Sequence, residues 1–268
     1  MAGTTNASPG PEGGTLFRGV VAYDGGRFHG WQFQPRLPTV QGEIERALGI
    51  IVRSSSRVQG AGRTDAGVHA LNQTCSFRAV TVLAPERLQA ALNAHLPPDI
   101  RIRSLDEAPE GFSARFSARW RSYRYLLARE ASPFWRGRAH VPRSWPDPPA
   151  MQAACEVLLG EHEFRAFTTQ PEAPFGCCIH EIGWSVWRRG LVFTVRSNRF
   201  LYQMVRILVG TFLEIGRGRL RPEQMGRILE GGDRRAAGPL VPACGLYLHR
   251  VGYDPPWPEE GALETALD

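Results

Sequence analysis

The 268-residue chain contains no lysine, so all 32 of its basic residues are arginines. This absence excludes enzymes that form a Schiff base through their own lysine and nucleotide sites built on a P-loop or kinase lysine. The five cysteines include no C-x-x-C pair, which argues against a disulfide framework and against a zinc finger. No apolar run approaches the ~18 residues of a membrane-spanning helix, and the first 14 residues lack the basic and apolar regions of a secretory signal. We therefore expect a soluble globular protein of the reducing cytoplasm.

The charge balance indicates the kind of partner. The 32 arginines outnumber 26 acidic residues, which gives a formal net charge of +6. A guanidinium is a planar fork that suits phosphate oxygens and stacks on bases. Net charge alone is weak evidence, but it makes a nucleic acid a reasonable partner.

Hydrophobic periodicity predicts the same series of elements in each half of the chain. In the first half we predict a strand at 16–23, a helix capped by Thr39, strands near 56–59 and 73–80, a helix at 85–96 and a strand at 100–103. In the second half we predict a strand at 120–127, a helix at 151–159, a hairpin of 179–187 and 191–196, a helix at 201–215, a short helix after Pro222 and a strand at 245–253. The order β-α-β-β-α-β is that of the split ferredoxin-like unit.

The predicted fold is therefore α+β, with two tandem ferredoxin-like (RRM-like) units and antiparallel sheets. We place the first domain, which carries the glycine-rich segment at 60–70, at residues 15–109 and the second at 110–253. The Gly- and Pro-rich start, residues 1–14, and the Pro-rich and then acidic end, residues 254–268, have the composition of poorly ordered tails.

One segment, GAGRTDAGVHA at residues 60–70, differs from the rest of the chain. Its three glycines permit backbone geometries closed to other residues and allow a ligand to approach closely. A single carboxylate, Asp65, follows two residues after Arg63, near enough to interact electrostatically with its guanidinium. Two interpretations are open from these residues alone: a tight Asx-turn in which Asp65 bonds its own backbone, or a reactive carboxylate in a partly buried loop.

The string GRTDAGVH at residues 62–69 resembles the signature of the TruA family of tRNA pseudouridine synthases. The resemblance covers nearly the whole chain apart from its two tails. Its further blocks are YDG at 23–25 with Phe28, GWQ at 30–32 with Gln34, TVQ at 39–41, FSARFSA at 112–118 with YRY at 123–125, FLY at 200–202 with MVR at 204–206, VG at 209–210, and GLYL at 245–248.

This resemblance implies the pseudouridine synthase fold and the isomerisation of uridine to pseudouridine at positions 38, 39 and 40 of the tRNA anticodon stem-loop. It also implies a homodimer with RNA lying across both subunits, and no cofactor or metal. By the same resemblance Asp65 is the catalytic residue and Tyr123 the active-site tyrosine. Arg63 is associated with displacing the target base, and Arg206 pairs with Asp65.

The residue chemistry agrees with these roles. The reaction breaks the N1–C1′ bond, turns the uracil and rejoins it through C5, and Asp65 could serve as nucleophile or as base. Either role needs an ionised carboxylate in a water-poor pocket, which an arginine within ~4–6 Å would stabilise. Arg206 lies in an apolar helix, where a buried charge without a partner is costly, so it either pairs with an acidic group such as Asp65 or extends its guanidinium to solvent. A flipped base also needs a stacking surface, which Tyr123 could provide.

Other interpretations of these residues stay open. As an isolated Y-x-Y, Tyr123 is more typical of strand packing than of catalysis. The arginines at 115, 119, 121 and 124 are predicted to form a phosphate-facing strip, although a solvated strand face has the same pattern. We expect a structural hydrogen bond from His69. Glu161-His162-Glu163 lacks the H-E-x-x-H spacing and is predicted to be surface at a helix end.

Two other functions are alternatives to the synthase. A non-catalytic tandem RRM-like RNA-binding protein would carry the aromatic RNP1 pattern on a central strand, and the sequence has none. An acid–base hydrolase that uses Asp65 and His69 would need a second nucleophile or a metal. Cys177-Cys178 and His180 are set too close together for ordinary zinc spacing, and strand packing is favoured for them.

Overall fold

The computed structural model describes residues 14–52, 57–172 and 174–254. The chain divides into two compact units, residues 1–118 and residues 119–268. Both contain helices and sheets with mostly antiparallel pairing, so the predicted α+β class is confirmed. Within the described ranges no helix is long and apolar enough to cross a membrane.

The first unit contains a four-stranded sheet and two helices. Its strands are β1 (Thr15–Tyr23), β2 (Gln59–Gly60), β3 (His69–Ala79) and β4 (Ile100–Glu107), and its helices are α1 (Val40–Ile51) and α2 (Pro85–His95). The strands are antiparallel in the order β4-β1-β3, and β2 pairs with the other side of β3. Phe17 and Phe77 lie opposite each other on β1 and β3 with ring centroids 5.6 Å apart, and they form part of the core.

Most elements predicted for the first unit are confirmed, and the boundaries of two strands are corrected. The Thr39 side chain accepts a hydrogen bond from the Gly42 N–H and caps α1 as predicted. β3 begins at His69, four positions before the predicted residue 73, because Ala70 already pairs with Tyr23 of β1. The strand predicted near 56–59 is the two-residue β2, and residue 56 lies outside the described ranges.

The second unit contains a five-stranded sheet with helices packed on it. Its strands are β5 (Trp120–Ala128), β6 (Gly160–Glu163), β7 (Gly176–Trp187), β8 (Gly190–Ser197) and β9 (Leu246–Gly252), and its helices are α3 (Pro148–Ala153), α4 (Met204–Gly216) and α5 (Gln224–Gly231). The strand order is β9-β5-β8-β7-β6, with antiparallel neighbours. Phe193 of β8 packs on Phe212 of α4 with ring centroids 5.3 Å apart, so α4 covers this face of the sheet.

Two predictions for the second unit are wrong in their boundaries. The helix predicted at 151–159 is the short α3, followed by a single 3-10 turn at Glu156–Leu158. Gly160 then adopts a φ of +89°, which ends helical geometry and starts the edge strand β6. The Glu161-His162-Glu163 segment therefore lies on a strand and not at a helix end. α4 begins at Met204 rather than at 201 because Gln203, with a φ of +60°, is left-handed.

The connection between the units packs on the first one. The Ala114 N–H donates to Ser76 Oγ (3.1 Å), and the Ser113 hydroxyl donates to Gln59 Oε1. These bonds explain why the division falls after residue 118, whereas the predicted domain boundary is at residues 109/110. The predicted tails lie outside the described residues, except for Gly14 and Asp254.

Candidate active site

The segment around Asp65 is an irregular loop between β2 and β3. The loop is tied to β3 at its start, where the Ala61 N–H donates to the Thr74 carbonyl (2.8 Å). The Gln73 amide donates to the Gly62 carbonyl (2.8 Å). Asp65 is half-buried and Arg63 is exposed, so the carboxylate is partly withdrawn from water while the guanidinium reaches outward.

Thr64, the residue before Asp65, is held through both its backbone and its side chain. Its carbonyl accepts a hydrogen bond from the Trp31 N–H at 3.1 Å. Its hydroxyl lies 2.8 Å from the Tyr23 hydroxyl, and this contact is buried. Because Thr64 is fixed at two points, the peptide that leads into Asp65 has little freedom. Tyr23 and Trp31 belong to blocks that the sequence linked to the family without giving them roles.

Glycines allow other backbone segments to contact this loop. Gly30 has a φ of +92°, and a Cβ added there would lie 2.5 Å from the Thr64 carbonyl oxygen. A Cβ on Gly25 would lie 1.9 Å from the Val68 carbonyl oxygen. At both positions the neighbouring backbone comes so close that only glycine, which has no side chain, can be accommodated. Gly67 adopts a φ of +77° in the turn that follows Asp65.

His69, the first residue of β3, acts as a hydrogen-bond acceptor. Its side chain is 2% exposed, and its Nδ1 accepts a hydrogen bond from the Gly25 N–H at 3.0 Å. The Asp24 carboxylate lies 3.1 Å from the same nitrogen. That carboxylate accepts a bond from the Gly26 N–H at 3.0 Å. The structural hydrogen bond expected from His69 is thus confirmed.

Tyr123 lies in the middle of β5, between β8 and β9. It is paired with Val195 on one side and Leu248 on the other, and it is 8% exposed. The Phe200 ring meets the Tyr123 ring edge-on at a centroid distance of 4.9 Å. Two strands and one aromatic neighbour therefore fix the plane of the Tyr123 ring.

Arg206 lies in the first turn of α4 and is half-buried. Its Nε donates to the Val241 carbonyl at 2.9 Å. Burial raises the pKa of Tyr125, the charge of Cys244 adds to the rise, and the Arg206 charge opposes it. The Tyr125 hydroxyl donates to the Pro242 carbonyl (2.8 Å), next to the Val241 carbonyl that Arg206 binds. Tyr125 shares a face of β5 with Tyr123 because the two are two residues apart.

The structure therefore brings the predicted site residues together in two pairs. Arg63 and Asp65 share one loop of the first unit. In the second unit Tyr125 pairs with Phe193, which packs on α4, so Tyr123 and the helix that carries Arg206 lie on the same side of the sheet. The ion pair between Asp65 and Arg206 stays a prediction.

The four arginines of the predicted phosphate strip have different environments. Arg115 is exposed in the first unit. Arg119 forms an ion pair with Asp254 that raises the pKa of Arg119 and lowers that of Asp254. Arg121 donates to the Asn198 carbonyl at 3.1 Å, and Arg124 is half-buried. The phosphate-binding role of these arginines stays a prediction.

The described part of the chain contains no other obvious reactive centre. Burial raises the pKa of Cys75 and of Cys155 to about 12 and that of Cys177 to about 11, so these thiols are uncharged and poor nucleophiles at neutral pH. No group of three or more His, Cys, Asp or Glu residues in these ranges is arranged to hold a metal ion.

Comparisons with known proteins agree with the motif. A model of the family described as tRNA pseudouridine synthase matches residues 20–117 and 154–254. The chain is 42% identical over 247 residues to tRNA pseudouridine synthase A of Methylacidiphilum infernorum, which covers 88% of this chain and 94% of that protein. It is 39% identical over 242 residues to the protein of the same name from Bacillus subtilis, and this match covers 88% of this chain and 98% of that protein. A solved structure from Galdieria sulphuraria has a TM-score of 0.23 at 14% sequence identity, and the match covers 68% of this chain and 81% of that one.

Proposed function

The chain belongs to the tRNA pseudouridine synthase family, and we propose that it isomerises uridine to pseudouridine at positions 38, 39 and 40 of the tRNA anticodon stem-loop. The observation that carries this proposal is the half-buried Asp65 in the GRTDAGVH loop, preceded by a residue that is fixed at two points. A catalytic carboxylate needs this kind of fixed position relative to its substrate.

The reaction needs no co-reactant because it is an isomerisation. The N1–C1′ bond breaks, the uracil turns, a C5–C1′ bond forms, and the proton on C5 leaves while N1 gains one. Asp65 takes part either by attacking the sugar as a nucleophile or by removing a proton from it as a base. Both routes require Asp65 to be ionised.

The target base must leave the helical stack before it can react. We assign this step to Arg63, because its exposed guanidinium is planar and can fill the space that the base leaves. We assign to Tyr123 the surface against which the flipped uracil stacks. The edge-on contact with Phe200 supports this role, since it holds the tyrosine ring in one orientation.

Arg206 is the proposed partner of the Asp65 carboxylate. It is half-buried in the first turn of an apolar helix, where a positive charge needs a compensating group. The hydrogen bond from its Nε to the Val241 carbonyl supports the role because it fixes the position of the guanidinium. A fixed arginine keeps a nearby carboxylate ionised at low water content.

We also propose that each unit is a ferredoxin-like domain. The order β4-β1-β3-β2 in the first unit and the order β9-β5-β8-β7 in the second support this assignment. Each is the order expected when a β-α-β-β-α-β chain forms an antiparallel sheet. The edge strand β6 is an addition in the second unit.

Homodimer assembly and a cytoplasmic location complete the proposal. Both rest on the family, whose tRNA substrate is large enough to contact two subunits. Sedimentation of the purified chain tests the assembly, and a single species of one-chain mass would contradict it. The second candidate function, a non-catalytic RNA-binding protein, is less well supported because the relatives are named as synthases.

One assay tests the proposed activity. Unmodified tRNA carrying uridine at positions 38, 39 and 40 is incubated with the purified chain and then mapped for pseudouridine at nucleotide resolution. The synthase produces pseudouridine at one or more of these positions. A chain that binds tRNA but forms no pseudouridine would be the RNA-binding protein instead.

A further inference from the structure

Phe116 presents its ring to solvent in the first unit. It lies in the segment between β4 and the end of the unit, and it is 75% exposed. Single exposed apolar residues are common on protein surfaces, so this exposure alone indicates no function. The turn that carries the ring provides the stronger evidence.

The turn at residues 113–117 is held by its own hydrogen bonds. The Phe116 N–H donates to Ser113 Oγ at 3.1 Å, and the Ser113 N–H donates to Ser117 Oγ at 3.1 Å. The Ser117 N–H in turn donates to the Ser113 carbonyl at 3.0 Å. The backbone that carries Phe116 is thus ordered before any ligand arrives, and binding to a preorganised group costs less entropy.

The same turn is attached to the strand that leads into the catalytic loop. The Ser113 hydroxyl donates to Gln59 of β2, and the Ala114 N–H donates to Ser76 of β3. Gln59 precedes Asp65 by six residues, and a chain of that length spans at most about 20 Å. The turn is therefore within reach of an RNA whose target uridine is at Asp65.

An arginine accompanies the exposed ring. The Arg115 guanidinium carbon lies 5.2 Å from the centroid of the Phe116 ring, and Arg115 is itself exposed. An aromatic face beside a cation is the combination that proteins use for single-stranded nucleic acid, in which bases stack and phosphates are neutralised. A purely apolar partner would gain nothing from the charge, and the net charge of +6 favours a polyanion.

We propose that Phe116 is a stacking platform for an unpaired nucleobase of the tRNA, with Arg115 at an adjacent phosphate. The inference rests on the proposed function for the identity of the RNA. Bases available for stacking are those of loops, since paired bases are stacked on each other. The nucleotide bound at Phe116 is therefore an unpaired nucleotide of the anticodon loop, which adjoins the proposed target positions.

Three variants test the stacking. Phe116→Leu keeps an apolar side chain but loses the aromatic face, and Phe116→Trp keeps an aromatic face. Base stacking contributes ~1–3 kcal/mol per base, so we expect Phe116→Leu to weaken tRNA binding about 5- to 150-fold and Phe116→Trp to bind like the unaltered chain. Phe134→Leu, at an 83%-exposed ring in the second unit, is the matched control and should leave the affinity unchanged. Melting temperatures of the variants confirm that each is folded.

A second measurement identifies the stacked nucleotide. Abasic sites are introduced singly along the anticodon loop, and the affinity of each RNA is measured with the unaltered chain and with Phe116→Leu. At one abasic position Phe116→Leu should cause no further loss of affinity, because the base that stacks on Phe116 is already missing from that RNA.

Several results would overturn the inference. They are equal affinity for the unaltered chain and Phe116→Leu, an equal loss in the Phe134→Leu control, and coupling at none of the abasic positions. A change of oligomeric state in Phe116→Leu would instead make the ring a subunit contact. The proposed function is judged separately, by whether the unaltered chain forms pseudouridine.

Discussion

The two units hold their candidate site residues in different ways. In the first unit Asp65 lies on an irregular loop, and the residue before it is fixed by bonds from Tyr23 and Trp31. In the second unit Tyr123 is on a central strand and Arg206 on a helix. A loop has no internal ladder of hydrogen bonds, so its shape must be specified residue by residue. A strand or a helix places a side chain by register alone.

This difference explains why the first site has a dense sequence signature and the second a sparse one. Around Asp65, glycines, a threonine and a histidine all have contacts that depend on their residue type. Around Tyr123 the strand neighbours Val195 and Leu248 need only be apolar and of the right size, and Phe200 alone contributes a contact specific to an aromatic ring. Substitutions near Asp65 should therefore impair catalysis, whereas those near Tyr123 and Arg206 should matter mainly at the two residues themselves.

The largest effect is expected for Asp65→Asn. The substitution keeps the shape of the side chain but removes both the nucleophile and the base, so turnover should fall below detection. Binding of tRNA, which depends on many arginines, should persist. The measurement is pseudouridine yield together with tRNA affinity, with the exposed ion-pair variant Asp233→Asn as the control that retains activity.

A smaller effect is expected for Tyr123→Phe. Once uracil has rejoined through C5, the C5 proton must leave, and we expect the Tyr123 hydroxyl, or a water that it positions, to accept it. The variant keeps the stacking ring, so it should bind tRNA nearly normally but release C5 hydrogen ~10²- to 10⁴-fold more slowly. Tritium release from C5-labelled tRNA in a single turnover measures this step. Equal rates would leave Tyr123 a stacking role only.

Tyr23→Phe tests whether the hydrogen bond between Tyr23 and Thr64 positions the catalytic loop. The variant loses the bond from the tyrosine hydroxyl to Thr64, which should lower stability by about 1 kcal/mol. Because Thr64 leads into Asp65, kcat should also fall by about tenfold at unchanged tRNA affinity. Tyr247→Phe loses a comparable bond, to the Arg138 carbonyl, and should lower stability without lowering kcat. A similar fall in kcat for both variants would argue against a positioning role for the Tyr23–Thr64 hydrogen bond.

An effect on stability alone is expected from pH in the second unit. Burial lowers the pKa of His249 to about 3, helped by the charges of Arg124 and Arg250. An unfolded histidine titrates near 6.5, so between about pH 6.5 and 3 the unfolded chain binds the extra proton. Stability should therefore fall as the pH drops through this range, by at most about 1.4 kcal/mol per pH unit from this group.

The variant His249→Asn checks that dependence. Urea unfolding at pH 7 and pH 5 should show a smaller difference than in the unaltered chain. Some difference should remain, because burial also lowers the pKa of His140. An unchanged difference would mean that His249 is protonated in the folded protein at pH 5.

Much of the fold could be predicted because it depends on periodicity. The strands β1 and β5 and the helix α1 were predicted within one residue of their observed starts. Edge strand β6 could not be predicted, because a four-residue strand with charged positions has no distinctive pattern. The end of helical geometry at Gly160 depends on a backbone angle that the sequence does not specify. The late start of α4 has a similar cause in the left-handed Gln203.

The candidate site was predicted in part. The string around Asp65 was recognisable because several of its residues are required by type: Thr64 and His69 through side-chain hydrogen bonds, and Gly67 through a positive φ. The hydrogen bond between Tyr23 and Thr64 was not foreseen, since 41 positions separate the two residues and nothing in either one's local sequence indicates a pair. The approach of Gly30 to the Thr64 carbonyl is a long-range contact of the same kind.

The most direct test of the central claim is to map pseudouridine in tRNA treated with the unaltered chain and with Asp65→Asn. We predict that the unaltered chain converts uridine at positions 38, 39 or 40 and at no distant site, and that Asp65→Asn binds the same tRNA without converting any uridine. Pseudouridine formed by purified Asp65→Asn, or formed by the unaltered chain only outside the anticodon stem-loop, would contradict the account.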